Sequence, residues 1–501
     1  MTRAVPRDEL PRLGAKIRAL RRRENTSQVQ LAERLGVSAS YLNLIENNKR
    51  PLPAALLIQL GKIFSVDLEY FSSDEDTRVV SDLYEVFADP LFESLALTST
   101  DVREMAASNP ATARAVLNLY HAYQAAREKA ASLASRVSEG EALGDVNRSL
   151  LPTEEVTDLI QARGNHFPAL EEGAETLWRE ARLELDDLYS GLTRYLERKH
   201  HVTVRIGRWD EERGTLRRFD QDRKLLVLSE LLPTRSRTFQ LAHQLCMLEH
   251  RGELDRIVTD ARLTTEESRS LSRAALANYF AGAVLMPYAR FLQAAREQRY
   301  DIDVLGRRFR VGFEQVCHRL ATLRRPGAEG VPFHMIRIDV AGNISKRFSA
   351  SGIHFARFSG ACPRWNIFQA FMTPGMIRIQ VSRMSDGATY FCIARTIQKD
   401  SGGFHAQHPV MAIGLGCRIE HARDLVYSDG MDLENQETYV PVGVTCRLCE
   451  RTDCDQRAHP SLHHPLRIDE NVRGMSLYVP VERVASGATH PRGQRVVRSR
   501  S

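Results

Sequence analysis

The apolar positions change their period three times along the chain, and each change marks a different kind of element. To about residue 72 the spacing describes short helices joined by tight turns. In TSQVQLAERLGVSASYLNLIENNKRPLP, a helix, a Gly-Val-Ser turn and a second helix capped by Ser38 place Leu31, Ala32, Leu35, Val37, Leu42 and Ile45 in one small core. Ala32 marks the expected close crossing of the two helices. The polar stretch SSDEDTRVVSD then precedes a longer helical region. There Asn109 stands as a cap before Pro110, and Val116, Leu119, Tyr120 and Tyr123 continue an apolar face. The pattern breaks at SEGEALGDVNRSLLP and resumes from Thr153 to about Lys199, with Leu177, Trp178, Leu183 and Leu188 expected inside.

The period then shortens to that of strands in HVTVRIG and RKLLVLSELL, with a turn around Gly214 between them. A helix is expected from near Arg237 and another over Ser268–Phe291, followed by two short helices in LGRRFRVGFEQVCHRLATL that turn at Val311 and Gly312. From Val331 onward strands dominate: HMIRIDV, MIRIQVSRM, TYFCIART and GMSLYVPVERV. The expected fold is multidomain: mainly α in the N-terminal half, with an α+β middle domain and an α/β C-terminal sensor domain. The expected boundaries are 1–72 for the head, 73–199 for a helical linker and oligomerisation region, 200–326, 327–484, and a disordered basic tail at 485–501. A chain of 501 residues has room for that division at about 150 residues per domain.

Charge alters this picture at one end. The net charge is +6, and residues 1–50 alone hold eleven Lys and Arg against five Asp and Glu, which points to a polyanionic partner for the head. No stretch reaches the roughly 18 apolar residues of a membrane span, and MTRAVPRDEL lacks a signal-peptide core, so a cytoplasmic protein without membrane contact is expected. The DNA-facing set is Ser38, Ala39, Ser40, Tyr41, Asn43 and Leu44, presented to base edges of double-stranded operator DNA. Asn43 is the foremost of these, because a carboxamide can bond adenine at two atoms. Gln28, Lys49 and Arg50 are expected on phosphates. The segment resembles the phage-repressor-like (Xre/Cro-type) helix-turn-helix family through Ser27-Gln28, Leu31-Ala32, Gly36-Val37-Ser38, Ile45-Glu46-Asn47 and Lys49-Arg50-Pro51, with Asn48 where that family often has glycine. One such head reads a half-site, so a homodimer or higher homo-oligomer is expected.

FQLAHQLCMLEH is similar to the H-E-x-x-H helix of ImmA/IrrE-type metallopeptidases, in which two histidines bind zinc and a glutamate activates water. Here the series reads His243, Gln244, Leu245, Cys246, Met247, and no carboxylate stands at Ser272–Leu276, where that family supplies a further ligand before Ala277-Asn278. The expectation is a non-enzymatic remnant with His243 packed or hydrogen-bonded; a DNA-tethered zinc protease is the rival.

Of eight cysteines, four run C-x28-C-x2-C-x4-C from Cys417 through Cys446 and Cys449 to Cys454. That spacing suits zinc or an iron–sulfur cluster without deciding between them. Cys246, Cys317, Cys362 and Cys392 stand in apolar or helical contexts and are expected to be buried thiols. The order of parts, with ACPRWNIFQAF and CRLCERTDCDQRAHP near the end, resembles the short-chain fatty acyl transcriptional regulators. The resemblance implies control of propionyl-CoA, methylcitrate or glyoxylate genes and an acyl-CoA effector. It also implies a [4Fe-4S] cluster on Cys417, Cys446, Cys449 and Cys454, with structural zinc as the alternative and a redox sensor lacking an acyl-CoA effector as a further reading. Arg364 and Trp365 are candidates for the effector pocket; an ordinary buried tryptophan beside a surface arginine is the other reading.

Overall fold

The computed structural model describes residues 13–461 and 476, apart from 25, 48, 51, 65–73, 93–94, 96, 139–151, 209–213, 262, 357–360, 400–404 and 448. The expected tail at 485–501, the break at 139–151 and all of the expected strand GMSLYVPVERV except Ser476 lie outside the described residues.

The head consists of α1 (Gly14–Arg23), α2 (Gln28–Leu35), α3 (Ala39–Glu46) and α4 (Ala54–Phe64). A reciprocal pair of hydrogen bonds between Ser27 and Gln30 opens α2, and Gly36 closes it with φ 68°. Ser38 then caps α3 by accepting the Tyr41 N–H at 3.1 Å. Leu31, Ala32, Leu35, Leu42 and Ile45 are buried together, with Val37 packed against them. The tightest crossing is at Gly14, where a Cβ would stand 2.3 Å from the Ile45 carbonyl oxygen.

Beyond the head, α5 (Asp74–Phe87), α6 (Ser99–Ser108) and α7 (Pro110–Ser138) share a small core of Leu83, Val86, Val102, Ala113 and Tyr120. Asn109 starts α7 by accepting the Thr112 N–H at 3.2 Å. The Tyr120 hydroxyl donates to Asp89 at 2.7 Å, which fastens α7 to the end of α5, and α6 packs against α1 of the head.

The next helices, α8 (Pro152–Ala162), α9 (Pro168–Glu180) and α10 (Leu188–His200), were expected in the linker. They pack into the middle domain instead, because Leu170, Leu177, Leu192 and Tyr195 belong to its core. That domain adds a small sheet of β1 (Thr203–Gly207), β2 (Arg217–Asp220) and β3 (Leu225–Ser229) in the order β1-β3-β2. Its remaining helices are α11 (Thr234–Glu249), α12 (Arg251–Asp260), α13 (Glu266–Leu285), α14 (Tyr288–Glu297), α15 (Ile302–Arg308) and α16 (Phe313–Leu320). The helix expected over Ser268–Phe291 divides at Met286-Pro287, since proline disfavours helical backbone before it.

The C-terminal region is built on β4 (His334–Asp339), β5 (Ile344–Ser349), β6 (Arg378–Arg383), β7 (Thr389–Gln398), β8 (Val410–Arg418) and β9 (Val440–Pro441), with α17 (Asn366–Gln369) laid on the sheet. The strand order is β5-β4-β8-β7-β6-β9, antiparallel except for β6 with β9. Alternate side chains take opposite faces. Met335, Phe391, Ile393, Leu415 and Cys417 join the middle domain's core, whereas Ile336, Ile338, Tyr390, Ala394 and Ala412 pack with Trp365 and Cys362 on the other face. Among the described residues no helix is long and apolar enough to cross a membrane.

Candidate DNA-binding and sensing sites

On the recognition helix α3, Ser40, Asn43 and Leu44 are exposed, as are Lys49 and Arg50 after it. Two residues expected to face outward do not fully do so. Ala39 and Tyr41 are half-buried against the head's core, with the Arg50 guanidinium 4.9 Å from the centre of the Tyr41 ring. The Ser38 hydroxyl is engaged as the cap. The Gln28 amide donates to Glu46 at 3.0 Å and lies 3.4 Å from the Asn43 side-chain oxygen, which also accepts from Asn47 at 2.7 Å. Glu46, passed over among the site residues, is buried and takes Arg21 in a two-point ion pair of 2.7 and 3.0 Å. That pair fixes α3 against α1 and so sets the angle at which Asn43 is offered.

In the middle domain Arg217 of β2 donates to Nδ1 of buried His243, so a guanidinium stands beside the histidine that corresponds to a zinc ligand in active peptidases. Burial, and then the Arg217 charge, push His243 down to about 3. His250 is packed against Gly173 and over Phe280, 4.8 Å between ring centres. Gln244 is buried and Met247 half-buried, and neither supplies the missing base or ligand.

The C-terminal sheet carries two features on its Trp365 face. The first is a small cavity of about 30 Å³ walled by His334, Phe355, Trp365, Ser382 and Cys392. His334 is fully enclosed there: Nδ1 is 2.8 Å from the Ser351 hydroxyl, Nε2 is 3.7 Å from the Cys392 sulfur, and burial pushes it down to about 3. Gly416 makes room for it, since a Cβ there would lie 2.5 Å from the His334 ring. Trp365 is a buried core residue and also lines this cavity. Arg364 is not among the cavity's walls.

The second is the loop that carries Cys446, Cys449 and Cys454. The buried Arg457 guanidinium donates to the carbonyls of Cys446 at 2.6 Å and Cys449 at 2.8 Å, and the Ala458 N–H reaches the Cys446 sulfur at 3.5 Å. Gly443 leaves space for the Cys449 thiol, 3.1 Å from where a Cβ would be. Cys362 donates its N–H to the Val444 carbonyl at 3.0 Å, and burial, with smaller contributions from the Cys446 and Cys449 thiols, pushes its own thiol up. The expected fourth partner, Cys417, is not brought to this group. It sits on the face of β8 that joins the middle domain's core, paired with Phe391 of β7. Cys362 is a buried thiol, as expected, and its backbone joins the residue two before Cys446. Among the described residues no group of three or more His, Cys, Asp or Glu side chains converges closely enough to hold a single metal ion. Thiols are the donor type of an iron–sulfur cluster, and one of them, Cys446, has a backbone N–H within reach of its sulfur.

The comparisons bear on the whole chain. Residues 17–71 match the helix-turn-helix family, 197–321 the IrrE N-terminal-like domain, and 322–478 the family described as short-chain fatty acyl coenzyme A regulator, C-terminal. The transcriptional regulator RamB of Mycobacterium tuberculosis (strain H37Rv) is 40% identical over 470 residues, covering 93% of this chain and 98% of that protein. The chain belongs to the short-chain fatty acyl coenzyme A regulators. PrpR from the same strain is 41% identical over 466 residues, with 93% and 94% covered. A propionyl-CoA carboxylase regulator of Cereibacter sphaeroides is 40% identical over 469 residues, with 94% and 98% covered. A solved structure titled "Mycobacterium tuberculosis transcriptional regulator" superposes with a TM-score of 0.64 at 42% identity, covering 66% of this chain and all of that one. These short-chain fatty acyl coenzyme A regulator relatives make the chain an acyl-CoA-related helix-turn-helix transcription regulator and not an enzyme, with a degenerate peptidase-like domain inside it.

The enclosed histidines of this regulator give its stability a pH dependence. Folded, His243 and His334 are pushed down to about 3, whereas unfolded they titrate near 6.5, so the unfolded chain binds more protons between those values. Stability is therefore full above about pH 6.5 and falls as the pH drops toward 3. Thermal melts should shift down by several degrees between pH 7.5 and 5; identical melting temperatures would contradict the neutral, enclosed state of both rings.

Proposed function

We propose that this regulator senses a short acyl-CoA thioester through the Trp365 cavity and holds an iron–sulfur cluster on Cys362, Cys446, Cys449 and Cys454, and that both signals reach the DNA-reading head. One observation carries the reading: Arg447 of the cysteine loop donates to the Ala88 carbonyl at the end of α5, at 3.1 Å. That bond joins the sensor to the helical unit on which the head packs. From the cavity wall at Ser382, β6 leads to Arg383, whose carbonyl accepts from Arg451 of the cysteine loop at 2.9 Å. Arg447 then meets Ala88, and the α5–α7 unit meets α1 through α6.

A cavity of about 30 Å³ suits water and is smaller than an acyl chain, so occupation requires its walls to part. A thioester that binds the parted arrangement better shifts the population toward it. When bound, an iron–sulfur cluster would cross-link the loop through thiolates and make its grip sensitive to oxidation state. Arg457 holds the loop's carbonyls in place around those thiols. Structural zinc is the alternative, and it would need the thiols to draw closer together than they stand. In Arg447→Ala, DNA affinity without thioester should stay within about twofold of wild type, while the thioester response is lost. An unchanged response would remove this route.

At the head, Asn43 reads a base while Gln28, Lys49 and Arg50 meet phosphates on each half-site of a dimer's operator. Asn43→Ala should cost about 1–3 kcal/mol on the cognate operator and relax one base position. An equal loss on random DNA, measured by anisotropy, would place Asn43 on the backbone instead.

A further inference from the structure

Asn43 is exposed on the recognition helix α3, but only one end of its amide is free. Its side-chain oxygen accepts from Nδ2 of Asn47 at 2.7 Å and from Nε2 of Gln28 at 3.4 Å, which occupies both lone pairs of that oxygen. Its nitrogen has no hydrogen-bond partner among the described residues. Two charged groups fix which end is which. The Arg18 guanidinium can only donate, and it meets Oδ1 of Asn47 at 2.5 Å, so the Asn47 atom turned toward Asn43 is its amino nitrogen. The same nitrogen donates to the Asn43 backbone carbonyl at 2.8 Å. The Glu46 carboxylate, held by Arg21, can only accept, and it takes Nε2 of Gln28 at 3.0 Å. Gln28 therefore also turns a donor toward Asn43. Reversing the Asn43 amide would set its amino group against both donors and forfeit both bonds.

This polarity bears on which base the helix can read. A two-point bond to adenine needs an acceptor for the N6 amino group as well as a donor for N7, and Asn43 keeps no acceptor to offer. An amino group brought to adenine N7 alone would stand beside the N6 donor. Cytosine presents only a donor in the major groove, and thymine a single acceptor beside its methyl group, whereas guanine presents N7 and O6 as adjacent acceptors. Resting on the reading of Asn43 as a base contact, we infer that Asn43 reads guanine, donating from its amino group to O6 and N7, and that Asn47 and Gln28 set this polarity. Arg18 and Glu46 act one step further back, each holding one of those two amides the right way round. With its side-chain amide turned inward, Gln28 meets a phosphate through its backbone N–H at the start of α2.

The test is selection of operators from randomised duplex DNA by the full chain, followed by anisotropy titration of each single-base change with wild type, Asn43→Ala and Asn47→Asp. Wild type should prefer guanine by about tenfold at one position of the half-site, and Asn43→Ala should lose that preference while the other positions keep theirs. Asn47→Asp preserves size and the bond to Arg18 but turns an acceptor toward Asn43, whose amide then reverses. The preferred base at that position should become one that offers an amino group, adenine or cytosine. Replacing the guanine by 7-deazaguanine, which lacks the N7 acceptor, should weaken wild-type binding by about fivefold and needs no variant. If Asn43→Ala relaxes a position where wild type prefers any base other than guanine, the polarity is overturned and the base contact stands. If Asn43→Ala weakens every sequence equally, the base contact itself fails. Unchanged affinity for the 7-deazaguanine duplex, or an undiminished guanine preference in Asn47→Asp, would also overturn the inference.

Discussion

Replacing Arg319 by methionine should cost about 3–5 kcal/mol of stability, because it leaves Glu171 charged and unpaired in the interior. Both side chains are almost wholly enclosed, and they meet in two parallel bonds of 2.6 and 2.9 Å. Tyr279 donates to the same carboxylate at 2.6 Å, and Arg319 also donates to the Met286 carbonyl at 2.9 Å and to Thr322 at 3.1 Å. Burial drives the Glu171 carboxyl up, and the Arg319 charge with its hydrogen bonds more than offsets this, so that it stays below its usual range. The pair ties α9 to α16 across the core that the sheet also shares, so its loss should loosen the middle domain and the sensor face together. Glu171→Leu/Arg319→Met should recover most of the lost melting temperature, since the uncompensated charge is then gone. A double variant no more stable than the single one would show that the pair's hydrogen bonds, and not its charge balance, set the cost.

The second large effect is on the metal. Cys449→Ser and Cys362→Ser should each yield a colourless protein depleted of iron and sulfide after anaerobic purification, whereas Cys417→Ser should keep wild-type iron. The difference follows from the faces of the sheet: the Cys362 backbone bonds Val444 beside the cysteine loop, and Cys417 is enclosed among the middle domain's side chains. Retained iron in Cys362→Ser together with loss in Cys417→Ser would return the fourth ligand to Cys417. Stoichiometric zinc without visible absorbance in wild-type protein would replace the cluster with a structural ion.

What the sequence disclosed about this molecule was local. The Gly36-Val37-Ser38 turn, the Asn109-Pro110 start and the Val311-Gly312 turn each act through neighbours in the chain, and all three stand where the pattern put them. The strand β8 escaped notice because Gly414 and Gly416 interrupt its apolar run; they are glycines so that Ile336, Ile367 and His334 can approach. Cys417 was grouped with the other three cysteines by spacing and by the family resemblance, and only the register of β8 reveals which face it takes. The two positions of the Glu171–Arg319 pair lie 148 residues apart and carry no local signal. Arg217 could not be seen as the partner of His243 either, since β2 and its pairing with β3 had to be known first. The assignment of α8–α10 to a linker failed for a similar reason: an amphipathic helix announces a buried face but not what covers it.

The central claim is that a short acyl-CoA thioester changes the affinity of this regulator for its operator. It is tested most directly by fluorescence anisotropy on its own upstream DNA, using anaerobically purified full chain and CoA thioesters from acetyl to palmitoyl. The account predicts a shift in apparent affinity with the short chains, propionyl among them, that fades as the chain outgrows the Trp365 cavity. Tight operator binding left untouched by every thioester would contradict it.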